Sequence, residues 1–441
     1  MKIKYAVTGL LMLIAVLTTA QQTSLFTNVL IFNGKDNKPF LGNVLVTGNQ
    51  ITKIAATPIP INKSANTTII DGKGKFLMPG LIDAHAHTTM DAIALPLALV
   101  SDIGYLNLFA ASSAEKQLMR GFTSVRDVGG ASFSLKKAID QGMIKGPRIY
   151  PSGATISQTG GHGDFGMPTD VPKVSGQLSY LERTGMTIIA DGPDQVLLRT
   201  REQLRNGASQ IKIMAGGGVA SNYDPLDVAQ YTEDEIAAAV KAAAAWNTYV
   251  TVHAYTPTAI QAAIKAGVKC IEHGQLADDA SAKLMAEKGI WWSLQPFLDD
   301  EDAIPFPAGS DSRKKQLQMV QGTDNAYQLA KKYNIKTAFG TDCLFDANLA
   351  TRQGAQLAKM VRWYTTFEVL NMATAKNAEL LALSGPRNPY PKKLGVIEEG
   401  AYADLILVDG NPLENINLIA NPDKNFLIIM KDGVVYKNTL R

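Results

Sequence analysis

The stretch MPGLIDAHAHTTM, Met78 to Met90, holds two of the chain's five histidines, His85 and His87, with a single alanine between them. Residues two apart on a strand point to the same side, so both imidazoles would project into one space, which is how a chelating pair is built. A strand with a polar, solvated face has the same spacing. The preceding FLMPGLIDA, apolar and punctuated by glycine, reads instead as a buried strand. Two imidazoles rarely hold a zinc ion by themselves, so further ligands are required.

Other residues of suitable chemistry close short apolar runs: His253 in YVTVHA, His273 in CIEHG and Asp342 in TAFGTD. Lys212 lies in ASQIKIMAGG, where strand geometry would turn it inward, and an ammonium beside divalent cations is strongly disfavoured. Carbon dioxide can resolve that conflict by converting a neutral ε-amine into a carbamate, an anion with two oxygens able to bridge two metals. The alternative is a lysine that reaches solvent or pairs with an acid. His162, in TGGHGDFG, is flanked by glycines and reads as a loop residue.

These residues need a scaffold, and the rhythm of the chain describes one. Between Pro79 and about Leu383, TSVRDV, QIKIMA, TYVTVHA, KCIEHG, IWWSLQ and KTAFGTD alternate with segments of helical spacing such as TEDEIAAAVKAAAAWN, where Thr232 and Glu235 form a capping-box pattern. Repeated alternation predicts an α/β fold with a parallel sheet, and about eight strands favour a closed (β/α)8 TIM barrel over an open doubly wound sheet. Such barrels assemble their sites at the C-terminal ends of strands, where His85, His87, His253, His273 and Asp342 all fall. AGGGVAS lacks the spacing of a dinucleotide loop. The flanks differ in texture. β-Branched residues interrupted by Asn-Gly and Gly-Asn breaks at 21–78, with similar texture at 386–441, predict one small β-sandwich domain built from both chain ends around a hydrolase domain at 79–385.

As a set, the H-x-H pair, the strand-end lysine, the two strand-end histidines and the final aspartate resemble the binuclear metal-dependent amidohydrolase superfamily over nearly the whole chain. More narrowly, PGLIDAHAH, GFTSVRDVGG, TGGHGD, QIKIMAGGGVAS, IEHG and GAYADLILVDGNPL are similar to the imidazolonepropionase-like group that includes Xaa-Pro dipeptidases and ochratoxin-hydrolysing amidases. The resemblance implies two divalent metal ions, one held by His85, His87 and Asp342, the other by His253 and His273, with carbamylated Lys212 bridging. Neutral imidazoles and carboxylate-like oxygens suit zinc. It also implies a bridging hydroxide as nucleophile, Asp342 as the carrier of its proton to the leaving amine, and His162 as a donor to the carbonyl oxygen.

Tyr223 in ASNYDP and Tyr231 in AQYTEDE follow the lysine strand and either reach the substrate, Tyr231 through a carboxylate, or pack. Arg126 either meets an acidic substrate or has a structural role with Asp127. Trp291 and Trp292 suggest apolar surface near the seventh strand. The strand-end lysine is a departure from mononuclear deaminases and favours hydrolysis. An amidase or dipeptidase acting on N-acyl amino acids, Xaa-Pro peptides included, is the leading expectation; a lactonase or esterase using the same metals is the alternative.

With 46% hydrophobic and 19% charged residues and a formal net charge of +3, the composition is that of an ordinary globular protein, not a disordered or nucleic-acid-coating one. The expected partner is therefore a small-molecule amide or peptide, with no nucleic acid. MKIKYAVTGLLMLIAVLTTAQQ has a basic start, an apolar middle and small residues before Gln21, as in a signal peptide over 1–20. That predicts a periplasmic or secreted protein with no stable membrane association after signal removal; the oligomeric state stays open, a homo-oligomer included. Cys270 and Cys343, in apolar surroundings, read as two buried thiols, with a single bridge as the alternative.

Overall fold

The structure is a computed structural model that describes residues 22–61, 66–172 and 176–440. Its apolar runs form two parallel sheets. One contains Leu81–Ala86, Phe122–Asp127 and Arg148–Pro151 in that order. The other has seven strands, in the order Thr187–Ile189, Thr155–Ser157, Ile211–Met214, Val250–Ala254, Cys270–His273, Trp291–Leu294 and Thr337–Phe339. Every pairing in both is parallel. The strands are buried along their whole length, as expected of parallel strands covered by the helices that connect them. One such helix, Glu233–Ala245, begins with the expected capping box: the Thr232 hydroxyl accepts from Glu235 N, and the Glu235 carboxylate accepts from Thr232 N. The chain is thus an α/β protein.

The first and last of these strands are neighbours. The Asn377 amide donates to the carbonyls of Ile82 and Phe339, each at 2.7 Å, and Asp342 N donates to His85 O at 2.9 Å. Their approach depends on Gly340, where a Cβ would lie 2.4 Å from that of His85. On the far side, the Gln210 amide donates to Tyr150 O at 2.8 Å and to Asp127 O at 3.2 Å, tying the smaller sheet to the larger.

The two chain ends meet in one eight-stranded sheet, ordered Val434–Asn438, Phe426–Lys431, Leu405–Val408, Phe76–Pro79, Thr23–Ile31, Phe40–Thr47 and Gln50–Ala55, with Thr67–Asp71 also paired to Thr23–Ile31. Thr23–Ile31 changes partner along one edge. Thr23 to Thr27 pair with Thr67–Asp71, whereas Leu30 and Ile31 pair with Phe76 and Leu77. Asn28, between these segments, has φ +52°, a left-handed conformation that asparagine tolerates better than most residues. Phe26, Val44 and Ile70 from the beginning of the chain share one core with Leu405, Leu407, Ile428 and Met430 from its end.

Among the described residues no helix is long and apolar enough to cross a membrane, and the signal segment expected over 1–20 lies outside them. Cys270 and Cys343 are both buried and unbridged.

Candidate metal centre

His85 and His87, at and just beyond the end of Leu81–Ala86, face Asp342, which follows Thr337–Phe339. His85 Nε2 lies 3.3 Å and His87 Nε2 3.2 Å from Asp342 Oδ1, and the three side chains offer ligand atoms all within 4.8 Å of one another. His273 Nδ1 is 4.0 Å from Asp342 Oδ2. The His273 ring centroid is 4.8 Å from that of His85 and 4.6 Å from that of His253. Buried Lys212 lines the same cavity, so all six residues expected at a metal centre converge on one space.

Each imidazole has one nitrogen engaged behind the site. His87 Nδ1 donates to Gly129 O at 3.1 Å, and His253 Nε2 donates to Gly217 O at 3.0 Å. A carbonyl only accepts, so these contacts place the proton and leave His87 Nε2 and His253 Nδ1 with free lone pairs. His85 Nδ1 is held by Glu272 Oε2 and His273 Nδ1 by Gln295 Oε1, each at 2.7 Å. Among the described residues His85 Nε2, a buried nitrogen, then has no hydrogen-bond partner. Leaving a buried polar atom unpaired is costly, and a metal ion facing it would relieve that cost. The donor set fits a divalent cation.

Electrostatics point the same way except at His87, which burial lowers but the facing Asp342 carboxylate raises above the ordinary histidine value. Burial raises the Asp342 carboxyl, but the His85 and His87 imidazoles facing it hold it well below the usual carboxylate range. Burial, followed by neighbouring imidazoles, keeps His253 and His273 far below the ordinary histidine value, so both are in the neutral form a metal requires. Burial also pulls the Lys212 ammonium down to about 8 against the attraction of Glu272 and Asp342. Among the described residues no carboxylate lies within ion-pair distance of its Nζ. Near pH 8 a large share of this amine is neutral, the form that reacts with carbon dioxide.

Glu272 was not singled out by the sequence. It stands one residue before His273 on the same strand, fully buried, and accepts from Arg126 Nη2 at 2.6 Å and from the Thr251 hydroxyl while its other oxygen holds His85. Of the two expectations for Arg126, the structural role holds, with Glu272 in place of Asp127 as its partner. It is fully buried and bonded to Ala84 O, Tyr249 and Glu272, so it meets no substrate. Asp127 instead accepts from the amides of Thr88 and Gly129. The available signal was an arginine and a glutamate in apolar strands that need each other's charge.

His162 lines the cavity, its ring stacked 4.1 Å from that of His253 and its Nδ1 2.8 Å from Ser221 Oγ. Gly218 makes room for it, since a Cβ there would come within 1.9 Å of His162 Nδ1. Burial lowers His162 to about 4, so the ring is neutral near pH 7. The two tyrosines expected at the substrate are elsewhere. Tyr223 is exposed and donates to Gly166 O at 2.6 Å, while Tyr231 is buried in the core with its hydroxyl spent on Ala190 O at 2.8 Å. A loop residue's aim is set by local backbone, here φ +66° at Tyr231, which spacing does not reveal. The phenol that does line the cavity is Tyr255, two residues after His253, whose ring it meets at 4.9 Å. Its hydroxyl makes no hydrogen bond to the described residues, and burial keeps it protonated, well above the ordinary phenol range.

The cavity opens to solvent on one side, and apolar side chains surround its polar floor. With this geometry in view, the likenesses to known proteins agree. Residues 76–436 match the amidohydrolase family. The chain is 33% identical over 439 residues to an ochratoxinase of Aspergillus niger, covering 97% of this chain and 89% of the relative. Among solved structures, a prolidase complexed with N-methylphosphonate-L-proline is 34% identical with a TM-score of 0.86, covering 95% of this chain and 100% of the other. A Xaa-Pro dipeptidase with methionine bound in its active site is 29% identical with a TM-score of 0.80 over the same shares. The chain belongs to the amidohydrolase family and is a hydrolase acting on amide bonds.

Proposed function

We propose that the chain is an exported binuclear zinc amidohydrolase that cleaves the amide bond of N-acyl amino acids or dipeptides, on a closed (β/α)8 barrel joined to a β-sandwich domain made from both chain ends. The strand neighbours at both seams of the parallel sheets support the barrel. The observation behind the function is the convergence of His85, His87, Lys212, His253, His273 and Asp342 on one cavity, with the far nitrogens of the imidazoles already engaged. The likeness to an ochratoxinase and to prolidases favours amides among the bonds such a site can break.

In this reading His85, His87 and Asp342 would hold one ion and His253 and His273 the other, with Lys212, as its carbamate, available as a further ligand. When bound, two such ions make water acidic enough to attack near neutral pH and polarise the scissile carbonyl. The chain's own groups then manage protons and charge. Asp342, kept ionised by the histidines around it, accepts a proton from the attacking water and returns it to the departing nitrogen, which leaves poorly as an anion. His162 and Tyr255 stabilise the carbonyl oxygen as its negative charge develops.

The test is elemental analysis together with a hydrolysis panel on zinc-loaded protein. About two divalent ions per chain, amide cleavage, and loss of cleavage with a chelator are expected. Lactones or esters cut while every amide is spared would replace the amidase reading with an esterase one. Export is read separately from the intact mass of protein taken from the native host, which should correspond to a start near Gln21; a retained Met1 in a cytoplasmic fraction would overturn it.

A further inference from the structure

The loop that follows the lysine strand, between Ile211–Met214 and Glu233–Ala245, backs two stacked imidazoles. Its Gly217 carbonyl accepts from His253 Nε2 at 3.0 Å, and its Ser221 hydroxyl lies 2.8 Å from His162 Nδ1. A carbonyl fixes the proton of the histidine it faces. A hydroxyl can donate or accept, so the proton on the neutral His162 ring is set by what else surrounds Ser221.

Ser221 is buried, and among the described residues the one other hydrogen bond of its hydroxyl is to Gly218 O, longer at 3.3 Å. The single hydroxyl hydrogen thus has two acceptors in reach. Placed on Gly218 O, it would oblige Nδ1 to carry the ring proton and leave Nε2 bare. Placed on Nδ1, it puts the ring proton on Nε2, and the shorter contact favours this arrangement. Behind the serine stands the buried Asp224, its Oδ2 3.8 Å from His162 Nδ1, beyond hydrogen-bond range. That oxygen accepts from Gly218 N at 2.8 Å and from the Gln230 amide at 3.0 Å, while Gln230 Oε1 accepts from His162 N at 2.9 Å. From outside, Lys315 on the helix Asp311–Val320 donates to the carbonyls of Ser221 and Asp224 at 2.8 and 3.1 Å. The loop is therefore held from both sides, with its hydroxyl against the ring.

We infer, resting on the amide-hydrolase reading, that Ser221 is a positioning residue acting through His162: its hydroxyl donates to Nδ1 and keeps the ring proton on Nε2, the nitrogen left for a carbonyl oxygen that gains charge. Without that hydroxyl, Nδ1 faces the Asp224 carboxylate, which only accepts. The proton then passes to Nδ1, and a bare lone pair meets the oxyanion.

Nitrogen-15 spectra of the zinc-loaded protein, with only five histidines to assign, read the tautomer directly. His162 should carry its proton on Nε2 in the wild type and on Nδ1 in Ser221→Ala, and Ser221→Thr, which keeps a hydroxyl, should give the wild-type pattern. Ser221→Ala should lower kcat by about tenfold to a hundredfold, with KM changed by less than about threefold and metal content unchanged. In the His162→Ala background the same substitution should change kcat by less than about twofold, whereas a merely structural serine would cost as much in either background. A wild-type proton on Nδ1, or equal losses in both backgrounds, would overturn the inference. If no amide is cut, the amidase reading falls, and the spectra of wild type and Ser221→Ala alone decide where the serine places the proton.

Discussion

His85 Nδ1 and Glu272 Oε2 lie 2.7 Å apart, and the second oxygen of that carboxylate is held by Arg126 at 2.6 Å. The glutamate fixes the histidine's proton on Nδ1 and turns its bare Nε2 toward Asp342, 3.3 Å away. A buried ion pair here therefore orients a ligand. Glu272→Gln should weaken metal binding by about tenfold to a hundredfold, measured as ions retained against a competing chelator. Glu272→Ala should in addition cost about 3–5 kcal/mol of stability in denaturant titration, because it strands the Arg126 guanidinium without a partner. Unchanged metal retention in Glu272→Gln would show that His85 is oriented by packing alone.

Lys212→Ala removes the amine that the carbamate reading requires. Metal content should fall from about two ions per chain toward one or none, with activity lost, and short carboxylates such as formate should restore part of both. A fully active, fully loaded Lys212→Ala protein would sink the bridging role.

His162 stacks on His253 yet is not among the proposed ligands, so His162→Ala separates charge stabilisation from metal binding. It should lower kcat by about 10²- to 10³-fold, the effect of losing one oxyanion donor, with elemental analysis unchanged. Loss of metal in step with activity would assign His162 a structural part in the centre.

Asp302 makes stability depend on acid. Burial alone would raise its carboxyl, but Arg352 and Lys359 hold it below the ordinary range. The folded value lies below the unfolded one near 3.9, so its contribution is present above about pH 4 and is lost as pH falls through the folded value. The urea midpoints of wild type and Asp302→Asn should therefore differ at pH 7 and converge on acidification. A gap that widens toward pH 3 would contradict the assignment.

Both thiols should be inert in the native protein. Burial pushes Cys270 up to about 12 and raises Cys343 as well, so the thiolate fraction at pH 8 is on the order of 10⁻⁴ or less. An aromatic disulfide reagent should titrate both only after denaturation. Rapid native labelling would mean that the strand end at one of them opens.

How far the sequence discloses this site depends on what locates each residue. His85, His87, His253, His273 and Asp342 are legible because period-two alternation and a strand's end fix both direction and height. Lys212 is legible because a charge in an apolar run demands an explanation. Glu272 satisfies the same criterion, but it lies next to His273, so IEHG reads as a ligand with a neighbour. Tyr223 and Tyr231 fail for a different reason, since a loop side chain's aim depends on distant partners such as Gly166 O and Ala190 O. The strand Arg148–Pro151 is missed because RIYP is short and contains a charge and a proline. Its arginine is nonetheless buried, paired with Asp404 at 3.1 Å and with Asp432.

The sheet shared by the chain ends has a consequence for biogenesis. Phe76–Pro79 lies between Thr23–Ile31 and Leu405–Val408, strands separated by the whole catalytic body. During synthesis the early strands leave the ribosome with an apolar edge and half a core, and their partners arrive only after the catalytic body has been made. Closing a loop of that span is slow, and until it closes the waiting edge can pair with another nascent chain. Premature termination before Leu405 should therefore yield aggregates even though every residue of the metal centre has already been made.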